Sequence, residues 1–282
     1  MRLKNLTLAV VLWASLPEAL RAALEPMPTR DLTAAIAADR FSKFVRARSE
    51  RLDGYAEPKS AAAGSLPRIL AAREHALDQL EAFYGAKLGR RLALVFFANE
   101  ESKLKATGHR GWGWAVNDVI VEVNNDKIHL EPYHELSHMV SARLGSPPAL
   151  FDEGAAVYVA KRFGGDPMGE FGHPGASLDA VVALNIDAGH YVPMREVFAF
   201  SEIGPPRTQG EFTYPEAASF VSFLVLRFGE AALRTAFGRL RSSDDSRQIA
   251  ANALAFREIF GVDVEMAERS WRRQIGRPLE HR

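Results

Sequence analysis

The pentapeptide His134-Glu135-Leu136-Ser137-His138 constrains this chain more than any other stretch. Side chains four positions apart on an α-helix stand on one face, a turn apart, so both imidazoles can reach a single cation. Glu135 is displaced from that line, yet near enough to take a proton from a water polarised by the cation. Two neutral imidazoles suit Zn²⁺, and a reactive zinc site needs one more protein ligand plus an open position. The flanking residues supply the helix. Val119-Ile120-Val121-Glu122-Val123 is a β-branched strand pattern that ends in the turn signal Asn124-Asn125-Asp126. Glu131-Pro132 suits a helix start. Leu136, Met139, Val140 and Leu144 recur at helical spacing before Gly145 and Pro147-Pro148 stop it.

A third ligand has to come from further along the chain. The extended pattern with a third histidine fails, because Leu144 holds its place and Ser141 replaces the expected glycine. The stretch Leu150 to Tyr158 reads as a second helix ending near Gly164-Gly165, with Asp152 and Glu153 in its first turn. A helix-turn-helix would bring Glu153 back over the histidine face and complete a His₂Glu set. The alternative is that Asp152 and Glu153 serve only as partners of the helix dipole. Gly154 weakens a helix relative to alanine, and a close helix crossing near a metal would account for it.

His134-Glu135-x-x-His138, followed by Phe151-Asp152-Glu153-Gly154-Ala155-Ala156, resembles the gluzincin branch of the zincin metallopeptidases. Within that branch it is similar to the bacterial peptidase MA-like domains, with their HExxH and W/F-x-x-E-G-x-A helices. The likeness takes in residues 91–98, Gly113 to Val116, Tyr214 to Phe220, and Phe260 to Asp263 with Trp271, or roughly residues 40–275. It implies one zinc ion on His134, His138 and Glu153, with Glu135 as general base that passes its proton to the leaving amine. By family position Tyr214 would stabilise the developing oxyanion, and its other reading is a packed helix-start tyrosine. His173 and His190 are rival donors, read more simply as loop histidines. In the thermolysin-like pattern an aspartate four residues after the glutamate ligand supports a histidine; Val157 stands there here. That support would have to come from another carboxylate, with Asp152 and Asp118 as the options.

The resemblance implies an α+β, zincin-like fold: a small mixed sheet lobe at about 40–128 and a helical lobe at about 129–282, with the HExxH helix and its metal between them. Helices are expected from Ser65-Leu66-Pro67 to about Tyr84, at 214–228, 230–241 and 246–259, and at about 264–275, with a buried strand at Leu92–Phe97. The Gly/Pro-rich segments 164–177 and 201–213 are expected to border the cleft. Trp112, Trp114, Phe198 and Phe200 read as core or cleft wall.

With 282 residues, 47% apolar and 25% charged, one domain with a sizeable core is expected over residues 23–282. The 35 basic and 35 acidic side chains cancel, which gives no reason to expect a nucleic-acid partner. Cysteine is absent, so thiolate chemistry, cysteine-ligated zinc and disulfides are excluded. Arg2 and Lys4 before the apolar run Leu6–Leu16 resemble a secretory signal peptide at 1–22, too short to span a bilayer. The expected location is periplasmic or secreted, with an uncleaved N-terminal membrane anchor as the variant. The expected activity is zinc-dependent hydrolysis of a peptide or protein substrate. The alternatives are hydrolysis of another amide, in a cell wall or a modified peptide, and a catalytically weak binding module. Glu135 speaks against the last, since a structural zinc site has no use for a base and closes all four positions.

Overall fold

Extended apolar runs in the first half of the chain form a five-stranded mixed sheet in this computed structural model, which describes residues 41–277 and 279. The strands are β1 (Val45–Arg48), β2 (Leu52–Ala56), β3 (Leu92–Phe97), β4 (Gly113–Val116) and β5 (Val119–Val123), in the order β1-β2-β3-β5-β4. β2, β3 and β5 run parallel, while β1 and β4 close the two edges antiparallel. The register sets Val95 opposite Val121 and Phe97 opposite Val123. Because side chains alternate across a strand, Val95, Phe97, Val119 and Val121 point to one face, where Phe41 seals them and Tyr55 and Trp114 pack at the margin. The helix α2 (Glu100–Thr107) follows β3, capped by Asn99 at its start and left-handed Gly108 at its end.

The chain divides into two compact units. One holds residues 41–48, 52–67 and 92–130; the other holds 49–51, 68–91 and 131–277. The second unit is helical. It takes most of α1 (Leu66–Tyr84), then α3 (His134–Ser141), α4 (Ala149–Arg162), α5 (Pro167–Glu170), α6 (Leu178–Asp187) and α7 (Met194–Val197). After these come α8 (Gly210–Phe228), α9 (Glu230–Arg239), α10 (Ser246–Phe260) and α11 (Val264–Gln274). The signal expected at 1–22 lies outside the described residues. Among those described, no helix is long and apolar enough to cross a membrane.

The helix α4 is buried on nearly every side, which its sequence explains: Leu150, Phe151, Ala155, Ala156, Val157, Val159 and Ala160 leave no polar face in its middle. It lies against α8, and Gly154 permits the approach: a Cβ there would stand 2.7 Å from the Ala217 carbonyl oxygen. The expected close crossing exists, and its partner is the helix that carries Tyr214. Beyond α4, Met168, Leu178, Val181 and Ala218 surround Val157, with Phe171 and Tyr214 at the edge of the cluster.

Several boundaries differ from the sequence expectation. α3 begins at His134, not at Pro132, because the Glu131 carboxylate folds back to accept from the Tyr133 and His134 amides at 2.7 and 2.8 Å. α8 begins at Gly210, so Tyr214 sits in its second turn and not at its start. The Gly/Pro-rich segment 164–177, for which no helix was expected, contains α5, and α2, α6 and α7 carry too weak a period to be read beforehand.

Candidate metal centre

Three donor atoms meet in the helical unit. His134 Nε2 and His138 Nε2 are 3.3 Å apart, and Glu153 Oε2 lies 3.4 Å from each. The first two project from one face of α3, one turn apart, and the third comes from the first turns of α4, which doubles back past the bend at Gly145 and Pro147-Pro148. Among the described residues, this is the one group of three that could hold a metal ion. All three belong to the helical unit, so the metal expected between the two lobes has its whole donor set in one of them.

The triangle can be tested against coordination geometry. Zinc bonds to nitrogen and oxygen of about 2.0–2.1 Å place neighbouring corners of a tetrahedron roughly 3.3–3.4 Å apart. The three observed edges match that spacing, and the arrangement leaves the fourth corner without a protein ligand. Glu153 Oε2 is also buried and makes no hydrogen bond. A buried carboxylate oxygen with no donor is costly, and a cation at the centre of the triangle would satisfy it. The donor set therefore fits a divalent ion.

The electrostatics agree. Burial opposes the Glu153 charge, but His138 and His134 outweigh it and hold the carboxyl well below its ordinary range. Burial likewise works against a charged His134, yet Glu153 and Glu135 raise it to about 8. His138 is lifted further, against burial, by Asp152 and Glu153. The pocket is built to hold positive charge, and without an ion it draws protons.

Asp152 supplies the support for which Val157 is unsuited: its Oδ1 lies 3.2 Å from His138 Nδ1, the ring nitrogen turned away from the triangle. A carboxylate there fixes the tautomer that leaves Nε2 free to ligate. Asp118 stands in the sheet unit, just before β5. Glu135 faces the same space as the triangle, its charge acting on His134, on Glu170 and on Tyr214. The Tyr214 ring is 6.3 Å from the His134 ring and stacks on Phe171 at 5.9 Å. Burial, then the charges of Glu153, Glu135 and Asp152, raise the Tyr214 hydroxyl far above its ordinary value. It keeps its proton and is therefore available as a hydrogen-bond donor. His173 and His190 are not part of the triangle; His190 lies flat on Phe212, rings 4.0 Å apart.

Two groups near the triangle had no signal in the sequence. Glu131 is half-buried and caps α3, and Glu170 in α5 is pushed up from its ordinary value by burial and by Glu131 and Glu135. Both lie in stretches whose motifs concern turns and breaks, so only the fold brings them to the histidines.

No family model and no curated protein matches the chain. Among solved structures the chain is similar to IMPa from Pseudomonas aeruginosa in complex with an O-glycopeptide, at 10% identity and a TM-score of 0.40. That match covers 91% of this chain and 38% of the other, so the chain spans well under half of that protein's length. What the site can do follows from its own donors.

Proposed function

We propose that this chain is a zinc-dependent peptidase of the gluzincin, peptidase MA-like type, with a zincin fold and a peptide or protein substrate. The observation that carries the proposal is the donor triangle of His134, His138 and Glu153, with edges of 3.3, 3.4 and 3.4 Å, beside a glutamate that belongs to neither cap nor ligand set. Zinc bound there supplies a Lewis acid that polarises the scissile carbonyl and acidifies water.

The remaining work falls to the chain's own residues. Neutral His134 and His138 and charged Glu153 hold the ion, and Asp152 keeps His138 in its ligating tautomer. Glu135 accepts a proton from the attacking water as the new C–O bond forms, and returns it to the amine nitrogen as the C–N bond breaks. Tyr214, protonated at all working pH, donates a hydrogen bond to the carbonyl oxygen as negative charge gathers there. We place the enzyme in the periplasm or outside the cell on the basic and apolar pattern of residues 1–22. A retained Met1 in protein purified from its native host would count against a cleaved signal.

The decisive experiment pairs two variants. In Glu135→Gln, zinc stays bound while hydrolysis of a quenched peptide pool falls by about 10²–10⁴-fold. In Glu153→Ala, zinc occupancy itself is lost. Equal turnover by Glu135→Gln would remove the mechanism, and a zinc-loaded wild type that cleaves no peptide would favour another amide or a binding module.

A further inference from the structure

A cleft of about 510 Å³ opens at the N-terminal end of α8, lined among others by His190, Val192, Arg207, Gln209, Phe212 and Thr213. It shares α8 with Tyr214, the residue after Thr213, whose ring lies 6.3 Å from that of His134. Four features of the cleft point to one ligand chemistry. Among the described residues that line it there is no Asp or Glu, while Arg207 is one of them. Asp244 holds Arg207 at a single nitrogen, 2.8 Å away, and does not itself line the cleft. No side chain caps α8, a 19-residue helix with Glu211 in its first turn; its Phe212 and Thr213 amides bond to the Gln209 carbonyl, so what this end adds to the cleft is the positive potential of the helix dipole. Finally, Thr213 is fully buried, lines the cleft, and its hydroxyl has no hydrogen-bond partner. A native fold rarely leaves such a group unmatched unless a ligand, an ion or a water completes it.

We infer that this cleft is a subsite for a carboxylate on the substrate, held by the Thr213 hydroxyl and the free side of Arg207. A cationic side chain would find no acid among the lining residues and would oppose the helix end. Behind the lining, buried Glu268 accepts from the Tyr191 hydroxyl, and buried Glu216 has its Oε2 3.5 Å from the Val192 amide. Burial raises the Glu216 carboxyl to about 8, so it adds little negative charge behind the cleft at neutral pH. The flat His190–Phe212 stack forms one wall and leaves room for the methylene stem of an acidic side chain or the last residue of a peptide. As a specificity device this rests on the peptidase reading above, but the binding it describes does not require turnover.

The test is therefore a binding measurement on the full chain loaded with zinc. N-acetylglutamate, which carries both carboxylates, and N-acetylglutamine amide, which carries neither, are titrated and followed by NMR. The acid is expected to bind on the order of tenfold more tightly. Thr213→Val keeps the shape and removes a hydroxyl that has no internal bond, so its melting temperature should hold while the preference for the acid collapses. Arg207→Gln should reduce the preference as well. Equal affinity for acid and amide, or a preference that survives both variants, overturns the inference even if peptides are cleaved. Discrimination that Thr213→Val abolishes, without any peptide cleavage, sinks the peptidase reading and leaves the subsite standing. Two matched peptide series then identify the source. One has a glutamate side chain and a C-terminal amide; the other has neutral side chains and a free C-terminus. The series preferred over its uncharged control names the carboxylate, and no preference in either argues against the site.

Discussion

Asp152 Oδ1 stands 3.2 Å from His138 Nδ1, while the opposite ring nitrogen looks at Glu153 Oε2 across 3.4 Å. Adjacent residues on one helix turn thus hold a single imidazole from both edges. Asp152→Ala should leave the fold intact, because the side chain is part-exposed, and should weaken zinc binding by about 10–100-fold. Competition with a chelator of known affinity measures this directly. Wild-type affinity in the variant would mean that the imidazole is oriented by something else.

Tyr214 touches the problem of charge, not of metal. With its ring stacked on Phe171 and its hydroxyl strongly protonated, Tyr214→Phe should keep zinc content unchanged and lower kcat by about 10²–10³-fold. Metal analysis and turnover on the same sample separate the two effects. An unaltered rate would reduce the residue to packing.

Gly154→Ala tests the crossing of α4 on α8. In an uncrowded helix the exchange would add about 1 kcal/mol of stability. Here the new methyl would lie 2.7 Å from the Ala217 oxygen and 2.9 Å from the Val221 side chain. The expected sign is the reverse: a loss of about 1–3 kcal/mol, seen as a melting temperature lower by about 2–10 °C. A more stable variant would show that the helices sit further apart than described.

Glu216 sets a pH dependence of stability. It is fully buried in α8, with Val192, Arg272 and Glu268 as the groups that act on it, and burial raises it from 4.5 to about 8. The folded chain therefore holds a proton that the unfolded chain releases above pH 4.5, so stability declines as pH rises from there toward 8. Glu216→Gln removes that decline: it should melt higher than wild type at pH 8, and the gap should close near pH 4. Parallel melting curves with a constant gap across that range would refute the assignment.

Legibility in the sequence followed physical range. The histidine pair and the strands at Leu92–Phe97 and Val119–Val123 were readable because their signals are local, a turn or an alternation long. Glu153 was readable only because a short bend forces α4 back along α3. The choice of Asp152 over Asp118 was not, since it depends on which side of α4 turns toward His138. Glu170, Glu131 and the cleft around Thr213 were invisible: nothing local marks a glutamate in a Gly/Pro-rich stretch or a threonine in a helix as facing a metal centre. The α3 start was misplaced because a folded-back side chain, not a proline, ends the preceding turn.

All three donors fall between His134 and Glu153, about twenty consecutive residues in a chain of 282. An ion stabilises the chain by binding its folded form, but its grip is confined to α3 and α4, while the packing of the other helices and of the sheet does not involve it. Demetallation is thus expected to silence the chemistry while the helical scaffold persists, so that activity can be switched off and restored by dialysis without any refolding step.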